Sequence, residues 1–94
     1  MRIVWTAAAL RDLAAIREYI SAQNPAAADR QVRLVLAAIA GLLRYPQIGR
    51  QGRVAGTREL VVSRTPYLVP YRVRGDTVQI ARVLHARQRW PDRV

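Results

Sequence analysis

The stretch YLVPYRVRGDTVQIARVL, residues 67–84, decides the architecture. At its centre Gly75-Asp76 separates two β-prone runs, and glycine at the first turn position suits a two-residue type II′ hairpin. The turn sets a register. Val73 then faces Val78, Tyr71 faces Ile80, Val69 faces Arg82 and Tyr67 faces Leu84 on one side of the ribbon. Arg72 opposite Gln79, Pro70 opposite Ala81 and Leu68 opposite Val83 make the other side. The first side is apolar enough to receive helices and the second is more mixed, as in an antiparallel sheet with one covered face. Two residues resist the scheme. Pro70 has no amide to give a ladder, which predicts a bulge or an unpaired side. Arg82 falls among apolar partners, so the strand bulges near it or its head turns to solvent or to an acid at the rim.

Working outward, Thr65-Pro66 turns the chain and Glu59–Val62 reads as the preceding strand. Between Pro46 and Gly56, the glycines Gly49, Gly52 and Gly56 alternate with Arg50 and Arg53 in what reads as a mobile, basic connector. Ahead of it lies a helix that starts at Asn24-Pro25, where Asn caps and Pro needs no amide partner. Its stripe is Ala28, Val32, Val35, Leu36, Ile39, Leu42 and Leu43, and Pro46 ends it near Arg44 or Tyr45. A first helix over 7–22 is capped by Thr6 and carries Leu10, Leu13, Ile16 and Ile20 on one face. The run Arg2-Ile3-Val4-Trp5 is a short strand with an open choice of neighbour. The order β-α-α-β-β-β predicts one α+β domain over 1–94, a helical hairpin packed on a small antiparallel sheet.

Composition narrows the chemistry. There is no cysteine and one histidine, which excludes disulfides, thiolate sites and multi-histidine metal centres, so neither metal nor cofactor is expected. Sixteen basic residues against six acids give a formal charge of +10, and every one of the sixteen is arginine. Residues 1–40 hold five arginines and three acids, while residues 41–94 hold eleven and three, so the excess sits in the second part. A GC-rich genome also favours arginine over lysine, but the surplus charge points to a polyanion or an acidic protein as partner. No apolar signal core or membrane-length run is present, and a cytoplasmic location is expected.

Imidazole is the one side chain that ordinarily titrates near neutrality, and His85 closes the last strand between Arg82 and Arg87. As a general acid or base with Arg58 and Arg82 holding a phosphate, it would suit phosphodiester cleavage. The other reading is a histidine that ends a strand and bonds a carbonyl. Arg44, Arg50, Arg53 and Arg58 follow one another without an intervening acid, as a binding patch or a solvated loop. Tyr67 and Tyr71 fall on the core parity, and Trp90 reads as an anchor that packs the tail back on the sheet.

Several segments together resemble the RelE/ParE superfamily of small toxins from type II toxin–antitoxin modules. They are Asp12-Leu13, Ile16 and Tyr19-Ile20, then Asn24-Pro25 and Ala27-Ala28. Pro46, Gly49-Arg50, Gly52-Arg53 and Gly56-Thr57-Arg58-Glu59-Leu60 follow, then Pro66-Tyr67 and Tyr71-Arg72-Val73. Arg82-Val83-Leu84-His85, Gln88 and Trp90-Pro91 complete the series. The resemblance implies a growth-arresting toxin held by a cognate antitoxin with an acidic segment. It implies one of two targets: DNA gyrase, as in ParE-like members, or ribosome-bound mRNA, as in RelE-like nucleases. The nuclease reading assigns catalysis to His85, Arg58 and Arg82. Target or antitoxin contact falls to Arg44, Arg50, Arg53, Arg72, Arg87, Arg89 and Trp90. The tail carries Trp90 where a RelE-like nuclease often has a titratable tyrosine, so gyrase inhibition leads. The alternatives are mRNA cleavage and plain nucleic-acid binding.

Overall fold

In the computed structural model, which describes residues 1–94, strand β1 (Arg2–Trp5) leads into helix α1 (Ala7–Ser21) and helix α2 (Pro25–Ala40). A single 3-10 turn, Gly41–Leu43, extends α2. Strands β2 (Arg50–Gln51), β3 (Arg58–Val61), β4 (Tyr67–Arg74), β5 (Thr77–Ile80) and β6 (Leu84–His85) complete the chain. Both helices begin where their caps say they should. Thr6 accepts from the Ala9 amide and Asn24 from the Ala27 amide, each satisfying a donor the first turn would otherwise leave open.

The sheet runs β1-β5-β4-β3-β2, with β6 also on β4. Its hairpins are antiparallel as expected, but β1 lies parallel to β5, with Ile3 beside Val78 and Trp5 beside Ile80, so the sheet is mixed. The Gly75-Asp76 turn pairs Val73 with Val78 and Tyr71 with Ile80. Gly75 has φ +59 and Asp76 does not share that sign, the pattern a type II′ turn requires.

Beyond Ile80 the pairing slips by one residue. Tyr67 meets His85 and Leu68 meets Leu84, where unbroken register would set them against Leu84 and Val83. The cause is a bulge. The carbonyl of Pro70 receives the amides of both Ala81 and Arg82, at 2.9 and 3.4 Å, so two residues stand against one. The extra residue turns Val83 into the core and releases Arg82 to the rim, which resolves the misfit at both Pro70 and Arg82.

The bulge is also where the first helix docks. Thr6 donates through its amide to Ile80 O and through its hydroxyl to Ala81 O. Asp12, one turn into α1, receives Arg82 Nε at 2.6 Å, Arg82 Nη2 at 3.0 Å and the Val83 amide at 3.0 Å. This forked pair raises the pKa of the Arg82 guanidinium.

The helices cover one face of the sheet, over a core of Val35, Ile39, Leu42, Val69, Tyr71, Val78, Ile80 and Val83. Leu13, Ile16 and Ile20 of α1 and Leu34 and Ala38 of α2 pack at its margin. The helical stripes read from sequence are wider than the sheet can cover. Leu10, Leu36 and Leu43 are exposed, because each helix meets the sheet along one flank only.

Replacing Asp12 by Ala removes the acceptor of three donors at a half-buried rim. The expected cost is about 2–3 kcal/mol, read as a lower urea midpoint with unchanged slope.

Candidate functional site

The face of the sheet away from the helices carries a group of arginines, and one acid gathers two of them. Glu59 stands opposite Pro70 on that face and is only 2% exposed. Its Oε1 receives Arg50 Nη2 at 3.1 Å, and its Oε2 receives the Arg53 amide at 2.8 Å and Arg53 Nε at 3.2 Å. Burial opposes the charge of this carboxyl. The Arg53 amide, the Arg50 guanidinium and the positive charge of both arginines outweigh it and hold the pKa below the usual 4.5.

Arg53 in turn stacks on Trp90, its guanidinium carbon 3.7 Å from the ring centroid. Arg72, on the same face by alternation, donates to Val94 O at 2.8 Å. These two contacts draw the tail after β6 across the sheet, where Leu68, Pro70 and Leu84 are buried. Trp90 thus anchors the tail as its position suggests. Arg44, Arg87 and Arg89 are exposed and hold no acid or carbonyl through their side chains.

The segment read as a mobile connector is pinned. Tyr71, at the heart of the core, donates its hydroxyl to Pro46 O and accepts the Gly49 amide, both at 2.8 Å. Burial pushes the Tyr71 hydroxyl pKa up, against the smaller opposing pull of the Gly49 amide and Arg58. Arg58, opposite Tyr71 on the helix-facing side, donates to the carbonyls of Gln47 and Gly49. A methyl group at Gly49 would come within 2.6 Å of the Tyr71 ring, so that position admits only glycine.

Of the three residues of a phosphodiester-cleaving site, Arg58 stands apart from His85 along β4 and Arg82 is taken up by Asp12. His85 packs edge-on against Tyr67, with ring centroids 5.8 Å apart, and its Nδ1 accepts the Arg87 amide. It borders a hollow lined by Ile16, Tyr19, Tyr67 and Gln88. Arg58 pairs with β4 four residues further along, at Tyr71, roughly 13 Å away by strand rise. Arg82 has its fork filled by Asp12. No group of three or more histidine, cysteine or acidic side chains is arranged to hold a metal ion, and no helix is long and apolar enough to cross a membrane.

The sequence reading missed Glu59 and Asp12 as organisers. Their signal was weak: each is a lone acid whose arginine partners become visible only when the strand register and the bulge are known. In the sequence Tyr71 reads as core, and its second role as the post that carries the connector depends on contacts the sequence does not display.

A family model described as the ParE toxin of the type II toxin–antitoxin system parDE matches residues 3–90. The chain is 48% identical over 90 residues to putative toxin Y4kP of Sinorhizobium fredii, covering 96% of this chain and 93% of that one. It is 44% identical over 85 residues to Toxin RelE2 of Caulobacter vibrioides, covering 90% and 94%. Among solved structures it is similar to a chain of the chromosomal ParDE toxin–antitoxin system of P. aeruginosa. The TM-score there is 0.80, with 32% identity over 90% of this chain and 95% of that one.

The Glu59 clasp gives a signed pH dependence. With its folded pKa depressed, Glu59 contributes stability that is present above 4.5 and disappears as pH falls through the folded value. Glu59→Gln is therefore expected to unfold about 2 kcal/mol more easily at pH 7, and the gap from the parent should close in acid urea titrations. Tyr71→Phe leaves Pro46 O and the Gly49 amide without their partner, and a loss of about 1–3 kcal/mol is expected in the same assay.

Proposed function

This chain belongs to the ParE toxin family of type II toxin–antitoxin systems, and we propose that it arrests growth by binding DNA gyrase, without cleaving nucleic acid. A cognate antitoxin holds it in check in this reading, through a segment rich in acids that meets the arginine surplus after residue 40.

The observation that supports gyrase over message is that Arg58 stands apart from His85 and that Arg58 and Arg82 are already engaged within the fold. Cleavage by proton transfer needs an acid or base and its phosphate-holding cations within hydrogen-bond reach of one reacting centre. Here Arg82 is committed to Asp12, Arg58 to two backbone carbonyls, and His85 stands a further four positions along β4. The arginines of the opposite face keep part of their charge on the surface, as a binding protein requires. Arg50 and Arg53 are each about half exposed despite their hold on Glu59.

Purified toxin is expected to block supercoiling in a gyrase reaction and to leave message intact in a translating extract whose RNA ends are mapped. His85→Ala should arrest growth as the parent does. New cuts in message with normal supercoiling would overturn the reading and install the ribosome as target.

A further inference from the structure

Between α2 and β2 the chain displays an apolar and aromatic cluster that its own packing leaves unused. Leu43, Tyr45 and Ile48 are 47%, 60% and 65% exposed, although large apolar side chains are usually covered. The backbone beneath them is fixed. Tyr71 holds Pro46 and Gly49, and Arg58 holds Gln47 and Gly49, so four hydrogen bonds rise from the sheet to the inner side of this segment. The side chains of Arg44, Tyr45, Gln47 and Ile48 face outward. A loop ordered in advance loses little freedom when a partner arrives, and tyrosine and arginine are residues that carry binding energy at interface centres. The surrounding charge has one sign. From residue 41 to residue 58 there are four arginines and no acid, and the next acid, Glu59, is neutralised behind Arg50 and Arg53.

We propose that Leu43–Ile48 is the element that seats this toxin on its folded protein target, entering an apolar slot rimmed by carboxylates. Tyr45 and Ile48 fill the slot and Arg44 pairs with an acid at its edge. The proposal rests on the reading that the chain acts by binding a protein. A rigid, outward-facing loop suits a pocket that already exists in a folded partner. The acidic segment of the antitoxin has the half-exposed Arg50 and Arg53 of the opposite sheet face to meet, and in this reading it does not need the outward side chains of Leu43–Ile48.

Two variants test it, Tyr45→Ala with Ile48→Ala, and Arg44→Glu alone. Each is compared with the parent for growth arrest when expressed without antitoxin, for co-purification with co-expressed antitoxin, and for Tm. Both variants are expected to keep the antitoxin and the parent Tm while needing roughly tenfold or more toxin for arrest. The Arg44→Glu defect in supercoiling inhibition should shrink as salt rises. Arrest at parent potency by either variant would overturn the proposal, as would antitoxin binding lost in step with toxicity. If the double variant lowers Tm, Arg44→Glu still decides the matter. A parent that arrests growth while leaving supercoiling untouched refutes gyrase as target, yet the growth and antitoxin readouts still judge the loop. A parent that cuts message, with variants that cut equally, overturns both, and so does a parent that does not arrest growth.

Discussion

A guanidinium cannot be left unpaired inside a hydrocarbon core, and this fold is arranged around that prohibition at Arg82. Strict alternation from the Gly75-Asp76 turn would aim the side chain at Val69. One inserted residue opposite Pro70 turns it outward, where Asp12 accepts from two of its three nitrogens and from the next amide as well. The same insertion brings Val83 into the core and sets His85 beside Tyr67. Because Thr6 and Asp12 both end on the bulge, a single irregularity fixes the strand register, the entry angle of α1 and the boundary between the two faces of the sheet.

Most of this is legible in the residues themselves. Cap and period place both helices, and glycine chemistry places the hairpin. The conflicts at Pro70 and Arg82 are enough to announce a bulge. Three things are hidden. The parallel pairing of β1 joins segments about 75 residues apart, and no local pattern records it. The order in the 46–56 connector comes from Tyr71 and Arg58, residues that look like core and surface when read singly. The exposure of Leu10, Leu36 and Leu43 depends on how much of each helix the sheet reaches, which a helical wheel does not contain.

The arginine surplus also changes meaning once its partners are known. A run of Arg44, Arg50, Arg53 and Arg58 without an intervening acid resembles a bare cationic patch. Folded, two of its members converge on one buried carboxylate and a third supports backbone carbonyls. Arginine serves here partly as mortar, its planar fork spanning acids, carbonyls and the Trp90 ring in ways that lysine's single ammonium would not reproduce. The charge left for partners is smaller than the composition suggests, and Arg44, Arg87 and Arg89 are among the arginines that still carry it into solvent.

The parallel seam between β1 and β5 bears on the timing of synthesis. The first strand leaves the ribosome ahead of the other five, while Thr77–Ile80, which must lie against it, follows more than seventy residues later. At ordinary elongation rates that is a wait of several seconds. During it, Ile3 and Trp5 have no neighbour and Thr6 lacks the carbonyls of Ile80 and Ala81 that dock the first helix. Closure is a long-range event, so a nascent copy of this protein stays unassembled, and accessible to an early binder, until Ala81 has emerged.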